Sequence, residues 1–127
     1  MIRRIWHGWT SPENADTYEA LLKTEIFPAI LAKRVRGFRR IELLRRPLGD
    51  EVEFVTIMWF DSIEAVKAFA GEDHETAYVP AKARAVLARF DVRSQHYELR
   101  ETREGEDGEV GEDEETSGSS AGDAAPS

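Results

Sequence analysis

Hydrophobic and polar positions along "MIRRIWHGWT" alternate closely enough to predict a strand, and period two divides its side chains between two faces. His7 shares a face with Ile5 and Trp9 and opposes Trp6. The pattern then changes to three- and four-residue steps through Ala15, Tyr18, Leu21, Leu22, Ile26 and Ile30, which line one side of a helix. Ser11 and Pro12 mark its start, and Pro28 predicts a kink near Ile26–Phe27 with continuation to about Lys33. Gly37 reads as a junction into a second strand carrying Phe38, Ile41 and Leu43 or Leu44, and Pro47 with Gly49-Asp50 reads as a turn. "EVEFVTIMWF" is apolar on both faces and rich in β-formers, so it is expected at the centre of a sheet, in a hairpin with the strand before it.

"FDSIEAVKAFAGED" predicts a second helix, with Asp61 and Glu64 spaced as a capping box, Ile63, Val66 and Phe69 as the buried stripe and Gly71 at the exit. A short third helix is expected from Pro80, and "VRSQHYEL" as the last strand. This order is the split βαβ arrangement of an α+β, ferredoxin-like fold: a four-stranded antiparallel sheet with its helices on one face. The other face, with Val55, Ile57 and Trp59, is too apolar for water. A second copy is expected to cover it, giving a homodimer with a cavity between sheet and helices or between the two sheets.

Charge changes the picture only at the C-terminus. Residues 1–100 carry 16 Lys and Arg against 15 Asp and Glu, and residues 101–127 carry 1 against 10, so the two parts have net charges of +1 and −9. The domain is therefore placed at 1–100, and the Gly-, Ser- and Glu-rich segment 101–127 is read as a disordered acidic tail. The near-neutral body gives no basis for a nucleic-acid partner, and no apolar run approaches a membrane span. Cysteine is absent, which removes disulfides and thiol chemistry and fits a cytoplasmic protein.

"RIWHGWTSPENADTYEALL", "GFRRIELLRR", "EVEFVTIMWFDSIEAVKAFAG" and "SQHYEL" together resemble the antibiotic biosynthesis monooxygenase-like family of the dimeric α/β-barrel superfamily, over about residues 1–100. The resemblance implies a monooxygenase-like activity on a small aromatic or quinone-type molecule without metal or flavin, the substrate itself activating dioxygen in an enclosed pocket. In haem-degrading relatives an Asn on the first strand, a Trp ending the third strand and a His on the next helix do the work. Trp59 matches the Trp, His7 stands where the Asn would be, and Tyr78 is the nearest match to the His, with His74 one helical turn before it. The alternatives are a non-catalytic small-molecule-binding or structural dimer, and haem as the substrate of a haem-degrading relative.

His7 and Trp59 are thus the candidate catalytic residues, His7 as the group that accepts the substrate's proton because imidazole titrates near neutrality. Trp6, Trp9, Tyr18, Tyr78 and His96 are the candidate substrate-binding residues, with Tyr97 a further wall residue. His96 could approach His7 across neighbouring strands. His74, in "GEDHET", reads as a surface residue. Arg3, Arg4, Arg39, Arg40, Arg45 and Arg46 read as partners in cross-strand ion pairs with nearby carboxylates. No metal site, glycine-rich phosphate loop or nucleophile elbow is present in the sequence.

Overall fold

The computed structural model describes residues 1–106. Most of the acidic segment, residues 107–127, lies outside the described residues, and 101–106 hold no helix or strand. The chain runs β1 (Ile2–Thr10), α1 (Pro12–Leu21), a π-helical segment (Leu22–Ile26), α2 (Phe27–Ala32), β2 (Phe38–Leu48), β3 (Glu51–Phe60), α3 (Ile63–Ala70), α4 (Ala81–Val86), β4 (Arg89–Phe90) and β5 (Gln95–Glu98). All strand pairs are antiparallel, in the order β2-β3-β1, with β4 and β5 both on the free edge of β1. This is the ferredoxin-like arrangement expected from the order of elements.

The strand alternation decides what each face holds. On the helix side Val52, Phe54 and Phe60 of β3 are buried, with Gly8 and Thr10 of β1, and pack with Ala15, Tyr18 and Leu22 of the first helix or Ala65 and Val66 of α3. Phe54 meets Tyr18 edge to face at 4.9 Å. The kink ahead of Pro28 takes the form of the π segment, in which the Phe27 N–H reaches back to the Leu22 carbonyl.

Three local expectations are corrected. Pro47 lies within β2, not in the turn, which Gly49-Asp50 makes alone. β2 is an edge strand, where a missing N–H removes no ladder bond. The helix cap is Ser62, whose hydroxyl accepts from the Ala65 N–H at 3.2 Å, and Asp61 instead forms an ion pair with Arg39 at 2.5 Å. Its N–H donates to the carbonyl of Gly37, whose positive φ and close approach to Ala65 exclude a side chain. Finally, the last strand is split. β4 pairs with Gly8 and Trp9, β5 pairs with residues 2–5, and Asp91–Ser94 bridge the gap.

Candidate functional site

Between the sheet and its helices lies a cavity of about 720 Å³, within the range of small-molecule sites and partly open to solvent. Its apolar walls include Trp6 and Met58 from the strands, Tyr18, Leu22 and Ile26 from the first helix, and Phe69 from α3. The wide π turn supplies Leu22, Glu25 and Ile26, so the irregularity near Pro28 shapes the cavity wall. Trp6 is held from two sides. Its indole N–H donates to the Asp91 carbonyl at 2.8 Å, and its ring lies against Gly8, where a Cβ would come within 2.9 Å of it.

The Tyr18 ring is buried, and among the described residues its hydroxyl has no hydrogen-bond partner. Burial pushes its pKa up, so the phenol stays protonated and serves as a donor. Tyr78 also lines the cavity but is 86 % exposed, which places it at the mouth. Thr56, Thr76 and Ser94 add neutral polar groups.

Arg4 is the polar residue that the sequence reading misplaced. It is only 7 % exposed, lines the cavity and makes no ion pair with any described carboxylate, so the expected cross-strand pair does not form. The reason is phase: Arg4 shares the inward side of β1 with Trp6. Its Nη1 donates to the His74 carbonyl at 2.5 Å and to His96 Nε2 at 2.9 Å. Burial, and secondarily Arg4, lower the His96 pKa to about 4, so the ring is neutral near pH 7, with Nε2 accepting and the proton on Nδ1. The His74 and His96 rings meet edge to face at 5.1 Å.

The other candidates lie across the sheet. His7, Trp9 and Trp59 project from the face opposite the helices, so a single chamber holding all three tryptophans with His7 does not form. His7 Nδ1 donates to Asp91 Oδ2 at 2.8 Å, and the same oxygen accepts from the His7 backbone N–H at 3.2 Å. Asp91 occupies the break between β4 and β5, and His7 closes that break. Trp9 stacks on His7 at 6.0 Å and carries the Arg89 guanidinium at 3.9 Å. Trp59 lies between the Arg3 and Arg40 guanidinium groups, 3.6 and 4.4 Å from its ring, and donates to Glu42 at 3.0 Å. On β3 the residue facing the helices is Phe60, one place beyond the tryptophan that the resemblance singled out.

His96 pairs in register with Arg4 and points inward, so it does not meet His7. Tyr97 is exposed on the opposite face. Arg45 reaches Asp16 and Glu19 of α1 instead of a neighbouring strand, whereas Arg46 makes the expected cross-strand pair with Glu53 at 2.5 Å. Among the described residues no three His, Asp or Glu side chains converge as metal ligands, and no helix is long and apolar enough to cross a membrane.

The family model for antibiotic biosynthesis monooxygenases matches residues 1–81. No curated protein matches the sequence. Among solved structures, SnoaB, a cofactor-independent oxygenase from Streptomyces nogalater, is 21% identical over 80% of this chain and 95% of its own, with a TM-score of 0.52. Rv0793 from Mycobacterium tuberculosis is 20% identical over 81% of this chain and 98% of its own, TM-score 0.52. A variant of MhuD with two manganese protoporphyrin IX molecules bound per active site is 22% identical over 83% of this chain and all of its own, TM-score 0.53. At these identities the structural likeness establishes the fold.

Proposed function

Because this chain belongs to the antibiotic biosynthesis monooxygenase family, we propose that it oxidises a small aromatic molecule of anthrone type with dioxygen, without metal or flavin, inside the helix-side cavity. The observation that carries this reading is the cavity itself: about 720 Å³, walled by Trp6, Tyr18, Met58 and Phe69, on the side of the sheet where the core lies. SnoaB, of the same fold, is a cofactor-independent oxygenase.

An activated ring methylene that becomes a carbonyl gives up four electrons. Dioxygen accepts them, placing one oxygen atom in the product and releasing the other as water, so no outside reductant is required. The protein's contribution is to stack the ring against Trp6 and Phe69 and to favour the electron-rich anion that reacts with dioxygen, its proton leaving to water at the open mouth of the cavity. The Tyr18 phenol, kept protonated by burial, donates to the substrate oxygen as charge develops there. This assignment gives the chamber's chemistry to the helix-side residues, and leaves His7 and Trp59 to the other face.

That other face, with Ile5, Val55, Ile57 and the half-exposed Leu44, is covered in this reading by a second copy of the chain. The test of the activity is oxygen uptake with anthrones. The native protein consumes oxygen, and Tyr18→Phe lowers kcat about tenfold, the worth of one neutral hydrogen bond. Binding of these compounds without oxygen uptake would favour a non-catalytic binding protein, and oxygen uptake unchanged in Tyr18→Phe would remove that residue from the mechanism.

A further inference from the structure

Arg4 is a buried cation with three of its five N–H donors unused. A guanidinium has five N–H donors. The two on Nη1 are taken by the His74 carbonyl and His96 Nε2, while Nε and Nη2 have no partner among the described residues. That free Nε–Nη2 edge is the pair of parallel donors that takes a carboxylate through two hydrogen bonds.

The surroundings point the same way. Taking a guanidinium out of water is costly unless an anion accompanies it, and here burial lowers the Arg4 pKa with no opposing carboxylate to raise it. His96 is uncharged and cannot act as the counter-ion. The other charged side chains on the cavity wall are Lys33, Lys82 and Glu25, and Glu25 is already paired with Lys82 at 2.8 Å. Lys33 lies over the Phe69 ring at 4.7 Å. The cavity is therefore apolar in its walls and positive in its charge, with buried Arg4 among its lining residues.

Building on the reading of this cavity as the substrate chamber, we propose that its ligand carries a carboxylate, seated on the Nε–Nη2 edge of Arg4, with its aromatic body along Trp6 and Phe69. The anion supplies the missing counter-charge, and it fixes which end of the ring system enters first. A neutral molecule of the same shape leaves the arginine uncompensated and binds more weakly.

Calorimetric titration of the native protein with 2-naphthoate and with its neutral isostere 2-naphthamide tests this without any requirement for turnover. The carboxylate is expected to bind about tenfold more tightly, the scale of one charge-assisted contact. Arg4→Met, which keeps the length and removes the charge, should equalise the two ligands. Arg4→Lys, which keeps the charge and loses the fork, should retain only part of the preference. Equal binding of both ligands to the native protein overturns the carboxylate site and leaves the apolar chamber standing. Binding of neither overturns both. Because the native protein alone decides the preference, a variant that fails to fold does not rescue the proposal. A preference unchanged in folded Arg4→Met places the anion elsewhere and overturns the assignment to Arg4.

Discussion

The two faces of the sheet use the same kinds of residue for different ends. On the helix side Trp6 presents its ring to a cavity while its N–H is satisfied by the Asp91 carbonyl. On the opposite side Trp9 and Trp59 lie under arginines, layered with charge. Buried Arg4 lacks a counter-ion on the first face, while Arg46 has Glu53 on the second. One residue of displacement along a strand separates a side chain that can meet a ligand from one that can meet only solvent or another subunit.

Emptying the helix side has the largest effect. Phe54 is fully buried there, and Phe54→Ala should cost about 3–5 kcal/mol in urea unfolding, whereas Val55→Ala on the neighbouring face should cost about 1 kcal/mol or less in the monomer. If the second face is a subunit contact, Ile57→Glu should shift sedimentation from dimer to monomer while ligand binding in the cavity persists. A native protein that sediments as a monomer at micromolar concentration would remove the contact.

A smaller effect separates the faces by pH. His96 has its pKa lowered to about 4 in the folded chain, against about 6.5 when unfolded. Between those values the unfolded chain binds the extra proton, so His96 makes stability fall as pH drops from about 6.5 towards 4. His96→Gln should flatten the decline measured between pH 6.5 and 5. The smallest effect is local to the helix beyond β3: Ser62→Ala should cost about 1 kcal/mol through loss of the cap, read by thermal unfolding.

Much of the architecture was legible because apolar periods are long and unambiguous in β1, β3 and the first helix. Even the opposition of Trp6 and His7 followed from period two. That alternation does not extend to a shared chamber, since on β3 Phe60, and not Trp59, has the inward phase. Residue type groups Arg4 with the other arginines, whereas its register with Ile2 and Trp6 puts it on the inward face. β4 is two residues long and has no period to read. The cap fell to Ser62 because Asp61 had a stronger partner in Arg39, a contact between segments distant in sequence. The free edge of Arg4 depends on three chain segments meeting, and no local pattern encodes that.

Gly8 does not line the cavity, yet it backs the indole that forms one wall. A methyl group at this position would meet the Trp6 ring at 2.9 Å and Leu87 at 3.0 Å, so the ring would have to tilt away. Selectivity for ligand girth can therefore be retuned from behind the lining, by a change that leaves every ligand-facing side chain in place.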